Sequence, residues 1–364
     1  MKRWLVVLVF LALPLAAQLR QNFVLNVGTP EGQLLQQIGR EIDDVHKVEM
    51  MKDFLDKYPK HEGAGWVSAQ LEAAYVQQKD YDKALETGEK VYGSGPDDMD
   101  VAYNALKAAE AKEDVEQMKK WAARTSEAAR KITGTGKPPA DDDEKQRVEY
   151  AKQVDAYSEY ALYVVALKAK EPKAVVDLVE ALEHQNPKSQ YLWLATPNYL
   201  RATGAKACAA AGRLAAGDSK NAEAMLVSAD CSWRGQKAES VVSNATRALD
   251  ALNTRPKVEG GNEASKIGSA NFYAGIGYAM QMKWGPANKA LRAALPAVKG
   301  DTVVTANALF NLGLSNYSLG KAIGDRSQMR EGLHFFEQSA EIKSNVQDQA
   351  ERNARLIKAE LGGK

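Results

Sequence analysis

The chain has 364 residues, of which 45% are hydrophobic and 26% charged, and its 48 basic and 47 acidic residues give a formal charge of +1. Single cores usually stop growing at roughly 250–300 residues, so this length indicates several domains or a repeat array. The composition excludes a disordered or collagen-like chain. The balanced charge argues against a nucleic-acid partner, because a broad nucleic-acid surface needs clustered positive charge.

The first 17 residues have the pattern of an export signal. Met1–Arg3 is basic, residues 4–13 (WLVVLVFLAL) are apolar, Pro14 interrupts the run, and Ala16 and Ala17 are small. This pattern predicts a signal peptide over 1–17 that is cleaved after Ala17. The alternative is a transmembrane anchor, but residues 4–17 are shorter than the roughly 20 apolar residues that a spanning helix needs. We therefore expect an exported protein, periplasmic or secreted, with no integral membrane segment after cleavage.

Cys208 and Cys231 are the only cysteines of the sequence. Their separation of 23 residues does not fit a CxxC metal or redox motif. An exported protein meets oxidising conditions, which favour a disulfide between them. The alternative is a pair of buried thiols in Ala-rich helices (ACAAAG and SADCSW). The spacing alone leaves both possibilities open.

Most of the sequence shows apolar residues three or four apart, with Ala, Leu, Glu, Lys and Gln dominating, which predicts amphipathic helices. Turn signals interrupt this pattern near Pro59, Pro96, Pro187 and Ser219. The stretches from Pro59 to Pro96 and from Pro187 to Ser219 each have room for two helices of about a dozen residues. The sequence therefore predicts an all-α chain of helix hairpins.

Two segments that combine Gly and Pro with charge are predicted to divide the hairpins. They are 134–146 (GTGKPPADDDEKQ), in which Asp141 or Asp142 caps the next helix, and 253–262 (NTRPKVEGGN). The acidic triplet of the first lacks the spaced ligands of a calcium loop, so we interpret it as a solvated linker. The predicted organisation is a signal peptide at 1–17, hairpins over 28–133, degenerate hairpins over 147–252, further hairpins over 263–343, and a polar capping helix over 345–361.

Segments of the chain resemble the tetratricopeptide repeat, a 34-residue helix–turn–helix unit. In the segment from Gly65, Leu71, Tyr75, Tyr81, Ala84 and Pro96 fall at repeat positions 7, 11, 17, 20 and 32; in the segment from Gly268, the matching residues are Gly275, Tyr278, Trp284, Ala287 and Ala294 at positions 8, 11, 17, 20 and 27. The resemblance implies a right-handed superhelix (α-solenoid) of antiparallel hairpins. Small residues at positions 8 and 20 let the paired helices approach closely. The first segment departs from the pattern with Glu72 at position 8 and Gly88 at position 24.

The resemblance also implies a concave groove lined by the first helix of each hairpin. Carried over residue by residue, it gives Trp66, Gln77, Tyr199, Phe272, Ile276, Asn307, Phe310 and Tyr317 as candidate groove residues. These side chains do not match the Lys and Asn clamp with which some repeats hold a ligand carboxylate. They suit an amphipathic helix or an extended peptide. The alternative is that several of them pack neighbouring hairpins.

The sequence shows no recognisable catalytic pattern. His46, His61, His184 and His334 form no HExxH or Cys–His pairing, and the chain has no GxSxG, P-loop or GxGxxG motif. We expect no catalytic residue, no metal and no cofactor. We expect a non-catalytic scaffold of a bacterial cell envelope that binds a protein or peptide. The alternative is a helical envelope enzyme, or an accessory of one, that acts on glycan or peptidoglycan through paired carboxylates.

Overall fold

The computed structural model describes residues 25–95, 97–134, 136, 138–256 and 262–362. The predicted signal peptide at 1–17 lies outside the described residues, as do Pro96 and residues 257–261 of the second predicted linker. The chain divides into two compact units, with the first ending at Lys168 and the second beginning at Ala169. We call them unit 1 and unit 2.

The described residues of both units form helices and no strand, which confirms the predicted all-α class. In unit 1 the helices are α1 Pro30–Arg40, α2 Asp44–Lys57, α3 Ala64–Gln77, α4 Tyr81–Ser94, α5 Met99–Lys112, α6 Val115–Thr133 and α7 Asp142–Lys168. In unit 2 they are α8 Pro172–Gln185, α9 Gln190–Thr203, a 3₁₀ turn Gly204–Lys206, α10 Ala207–Gly217, α11 Ala222–Arg234, α12 Ala238–Thr254, α13 Glu263–Met280, α14 Trp284–Val298, α15 Thr302–Ile323, α16 Arg326–Ala340 and α17 Gln347–Gly362.

Each unit is an α-solenoid in which consecutive helices pack against each other. The odd-numbered helices also contact their next odd neighbours: α3 with α5 and α5 with α7 in unit 1, and α9 with α11, α11 with α13 and α13 with α15 in unit 2. We call these helices the odd layer of each unit. A helix in the odd layer is therefore buried by its partner and by its odd neighbours, and exposes only the side that remains.

Five hairpin turns share one backbone geometry. A residue with left-handed φ, between 52° and 73°, follows the first helix in each: Lys79, Glu113, Gln236, Met282 and Gly324. The next residue donates its N–H five residues back, for example from Asp80 to Tyr75 O over 2.9 Å, which is the long bond of a Schellman motif. That next residue is also the N-cap of the second helix, and Asp80, Asp114 and Asp325 cap with their side chains. The five hairpins therefore reverse direction through the same type of turn.

The first predicted linker is shorter than the sequence indicated. Helix α7 begins at Asp142, so residues 142–146 are helical rather than part of a linker. The acidic run stabilises the start of α7, because carboxylates favour the positive end of a helix dipole. Asp141 accepts the Glu144 N–H over 2.8 Å, as predicted for a cap.

Arg255, within the second predicted linker, is buried. Its guanidinium binds Glu223 of α11 over 2.7 Å and Glu263 of α13 over 3.0 Å, and Lys266 also binds Glu223 over 2.6 Å. Burial favours the neutral acid of Glu223, but hydrogen bonds from Arg255 and Lys266 outweigh it and lower the pKa of that carboxyl. The network therefore ties the end of α12 to the first turns of α11 and α13.

Glycines lie where paired helices approach most closely. A Cβ on Gly275 of α13 would lie 2.5 Å from Leu291 Cγ of α14, and one on Gly313 of α15 would lie 2.8 Å from Phe336 Cγ of α16. Neither position has room for a side chain. The close approach expected of position 8 is thus present at Gly275, and Gly313 of α15 makes the same kind of contact.

Glu72 and Gly88 form the corresponding contact between α3 and α4. Here the large side chain is on the first helix and the glycine is on the second. Glu72 of α3 is fully buried, and neither of its carboxyl oxygens has a hydrogen-bond partner. A Cβ on Gly88 of α4 would lie 2.4 Å from Glu72 Oε1. Burial raises the pKa of Glu72 well above its usual value, and the nearby charges of Asp98 and Asp100 add to the shift. The two departures from the repeat pattern therefore compensate for each other.

We predict that Gly88→Ala destabilises unit 1 by about 1–2 kcal/mol, because the new methyl overpacks the Glu72 carboxyl. Hydrogen exchange of the α3 and α4 amides, followed by mass spectrometry, measures the change. Gly93→Ala on the same helix is the matched control: its Cβ meets nothing within 4 Å, so it should stabilise by about 0.5–1 kcal/mol. In a Glu72→Ala background, Gly88→Ala should also become stabilising. If Gly88→Ala still destabilises unit 1 in the Glu72→Ala background, the proposed contact is contradicted.

The raised pKa of Glu72 predicts a pH dependence. The folded state keeps the proton that the unfolded state loses near pH 4.5, so stability should fall as pH rises from there through the folded-state pKa. Glu72→Gln removes this titration and should make unit 1 more stable than wild type at pH 8, with little difference at pH 4. Protection of the α3 to α5 amides, corrected for intrinsic exchange, measures it. Glu116→Gln, at an exposed side chain of α6, is the control and should keep the wild-type dependence of stability on pH. The same dependence in wild type and Glu72→Gln would refute the assignment.

Candidate functional site

Most of the predicted groove residues are buried. Tyr199, Phe272, Ile276, Asn307 and Phe310 are each at most 6% exposed. Phe272 and Ile276 pack with Leu291 and Val298 of α14, and Phe310 stacks edge-on against Phe336 with ring centroids 5.4 Å apart. These five side chains therefore fill the space between helices and do not line an accessible groove.

Polar groups among them are also satisfied internally. The Tyr199 hydroxyl donates to Glu180 over 3.1 Å and accepts from Arg213 over 2.6 Å. Asn307 donates to Asn345, in the segment before α17, over 3.1 Å. Their hydrogen bonds serve the packing of unit 2.

The other three candidates are not fully buried. Trp66 of α3 is half-buried against the core of unit 1, and Gln77 at the end of that helix is exposed. Tyr317 of α15 is half-buried in unit 2, where its hydroxyl contacts Glu360 of α17 and Lys321. Trp66 and Gln77 lie three helical turns apart in unit 1, and Tyr317 lies in unit 2.

A cluster of tyrosines in unit 1 was not singled out from the sequence. It consists of Tyr103 of α5 and Tyr150, Tyr157 and Tyr160 of α7, together with Lys107 of α5; we call it the tyrosine cluster. Tyr150 and Tyr157 lie two helical turns apart, so they share a face of α7. That spacing is the signal that could have revealed the cluster, but nothing in it indicates which helix the face meets.

Ring contacts hold the cluster together. The Tyr103 ring lies edge-to-face with Tyr157 at 5.3 Å and with Tyr150 at 6.5 Å, and the Tyr160 ring lies tilted against Tyr157 at 6.1 Å. Such arrangements add roughly 0.5–1.5 kcal/mol per pair beyond the area that they bury. The Lys107 ammonium lies 3.9 Å from the centre of the Tyr103 ring, within the range of a cation–π contact.

Acidic side chains lie beside the phenol groups. Tyr157 donates its hydroxyl to Glu110 of α5, and the charge of Asp100 of α5 acts on the Tyr150 phenol. The Tyr157–Glu110 bond fixes α7 against α5. Together with the ring contacts, it leaves these side chains little rotamer freedom to lose on binding.

The cluster lies in partly dehydrated surroundings. Burial raises the pKa of Tyr103 to about 12, and burial also raises the pKa values of Tyr150 and Tyr157. Burial lowers the pKa of the Lys107 ammonium, although Asp100 and Glu110 oppose that shift. Around neutral pH the phenols stay protonated, and the half-buried side chains combine apolar area with hydrogen-bonding groups.

Unit 2 has an open cleft of about 440 Å³ between α12, α13 and α14. Leu249, Ala274, Pro286 and Ala290 supply apolar walls, and the polar groups are those of Thr246, Asn271, Tyr278 and Lys289. Its volume is within the roughly 300–1,000 Å³ of small-ligand sites. The cleft has room for a single side chain or small molecule beside a cation.

Within the described residues, no group of three or more His, Cys, Asp or Glu side chains is arranged to hold a metal ion. Among the same residues, none of the helices combines the length and the hydropathy that crossing a membrane requires.

Comparison of the chain with protein-family models gives no match, and comparison with curated proteins gives no significant match either.

Proposed function

We propose that the chain is a non-catalytic scaffold that binds a protein or peptide partner through the odd layer of unit 1, at the tyrosine cluster. The observation that carries this proposal is the cluster itself: pre-positioned phenols and one ammonium on neighbouring helices, half-buried and reaching solvent. Tyrosine is enriched in protein interfaces because one ring supplies both apolar area and a hydrogen-bonding hydroxyl.

The repeat type is part of the proposal. We infer that the hairpins are of the tetratricopeptide kind, and the close contacts of Gly275 and Gly313 and the five common turns support this. A stack of such hairpins offers an extended surface rather than an enclosed pocket. That surface suits a partner segment that crosses several helices.

Export to a bacterial cell envelope is also part of the proposal. It is supported by the three-part pattern of residues 1–17 and by the disulfide between Cys208 and Cys231, since disulfides persist mainly in oxidising compartments. The scaffold would therefore act outside the cytoplasm, periplasmically or after secretion.

Expression of the full chain in a bacterial host should yield a mature protein that begins at Gln18. Mass spectrometry of the purified protein measures the N-terminus. Ala17→Glu should block cleavage, because signal peptidase needs a small residue before the cut. Retention of residues 1–17 in exported wild type would contradict the proposed processing.

A photo-crosslinking phenylalanine analogue at position 107 should capture a partner, whereas the same analogue at Lys120 on α6 should not. Lys120 is the matched control because it lies on the even-numbered helix α6 and not in the odd layer. Cells that express each variant are irradiated, and crosslinked peptides are identified by mass spectrometry. Tyr150→Ala, tested for folding by circular dichroism, should lower the crosslink from position 107 about tenfold, the effect of losing a strong interface residue.

Equal capture from positions 107 and 120 would show that the tyrosine cluster is not the binding surface. Turnover of peptidoglycan fragments by the purified chain would contradict the non-catalytic assignment. Phe310→Ala and Tyr199→Ala are unsuitable test variants, because truncating side chains this buried removes core packing and perturbs folding before it perturbs binding.

A further inference from the structure

The disulfide between Cys208 and Cys231 joins the first turn of α10 to the last turns of α11. Cys208 is exposed, and Cys231 is half-buried. Cys208 is thus the more accessible end of the bond and Cys231 the less accessible one. An attacking thiolate can approach the Cys208 sulfur more readily.

A guanidinium lies beside both sulfurs. Arg234 Nη2 is 3.5 Å from Cys231 Sγ and 3.9 Å from Cys208 Sγ. Asp230 holds the same nitrogen in an ion pair of 2.7 Å and also accepts from the Tyr273 hydroxyl over 3.3 Å. Asp230 therefore orients the guanidinium, while its own charge offsets part of the positive field at the sulfurs.

We propose that Cys208–Cys231 is an exchangeable disulfide that a dithiol reductant opens by attack on Cys208, with Cys231 leaving as a thiolate beside Arg234. A nearby cation stabilises a thiolate, and a leaving thiol of lower pKa departs faster in thiol–disulfide exchange. The cysteine whose sulfur is closer to Arg234 is also the less exposed residue, so accessibility and charge favour the same direction of attack.

The exchange balances without a further reactant. A thiolate of the reductant bonds to Cys208 Sγ, the Sγ–Sγ bond breaks, and its electron pair leaves on Cys231 Sγ. The second thiol of the reductant, once deprotonated, attacks its own sulfur in the mixed disulfide and releases Cys208 as a thiolate. The reductant ends as a disulfide, oxidised by two electrons, and the two cysteines end as thiols after taking up the protons that the reductant lost.

Reduction should act on the start of α10. Lys206 precedes this helix without a side-chain cap, and residues 204–206, 208 and 209 are exposed. The buried side chains of α10 begin at Ala210, after the disulfide, so opening the bond should loosen the first turn. The exchange therefore converts a covalent anchor into a frayed helix end.

The rate of reduction tests the role of Arg234. The oxidised full chain is treated with dithiothreitol at pH 7, and free thiols are alkylated over time and counted by mass. Arg234→Gln should slow reduction about threefold or more, Arg234→Lys should restore most of the rate, and Arg201→Gln on α9 should behave as wild type. An unchanged rate in Arg234→Gln would overturn the assigned role of the guanidinium.

The site of attack is tested on the wild-type chain, so the result does not depend on a variant that folds. Glutathione replaces dithiothreitol, the reaction is quenched with acid, and the mixed disulfide is mapped by peptide mass spectrometry. Glutathione should be found on Cys208, and faster hydrogen exchange after full reduction should be confined to the start of α10. Glutathione mainly on Cys231, or on both cysteines equally, would refute the proposed direction.

Discussion

Paired helices in this chain approach each other so closely that one member of each tight contact has no room for a side chain. Gly275 against Leu291 and Gly313 against Phe336 show this on unit 2. The same contact in unit 1 puts the long side chain of Glu72 on the first helix and Gly88 on the second. In all three contacts a glycine on one helix leaves room for a large side chain of the other helix, and which of the two helices carries the glycine differs.

That constraint explains why the aromatic residues expected in a groove are inside. Each helix of the odd layer contacts its hairpin partner and up to two odd neighbours, so little of its circumference is left for solvent. Full burial of a large apolar side chain stabilises the fold by about 1.5–3 kcal/mol. Residues such as Phe272 and Phe310 are therefore buried between helices. Tyrosine can stay half-buried at lower cost, because its hydroxyl can remain with water or with a carboxylate. The tyrosine cluster lies where α5 and α7 are only partly buried.

The sequence predicts the helices and their pairing well, because apolar spacing of three or four residues directly encodes a buried face. It does not reveal the hairpin turns, since the left-handed position is occupied by Lys79, Glu113, Gln236 and Met282, and only once by the glycine that usually marks it. Nor does it reveal the role of Arg255, whose neighbours Pro256 and Lys257 indicate a solvated linker. The partners of Arg255 lie 32 residues before it and eight after it, a relation that depends on how three helices meet. The five buried groove candidates were misjudged for a similar reason: a residue's position on its own helix is visible in the sequence, but the neighbours that cover it are not.

The disulfide joins α11 to helix α10, which has a small buried face of its own. Helix α10 has 11 residues, and its buried side chains are Ala210, Ala211, Leu214 and Ala215. Alanine buries little apolar area, so at about 25 cal/mol per Å² this face contributes less than the aromatic faces of α13 or α15. The start of α10 also lacks the side-chain cap that Asn221 gives α11. The disulfide therefore holds a helix whose buried face is small and whose start has no side-chain cap. Because each helix is held mainly by its neighbours, opening that bond changes α10 and its contact with α11 without requiring the rest of unit 2 to rearrange.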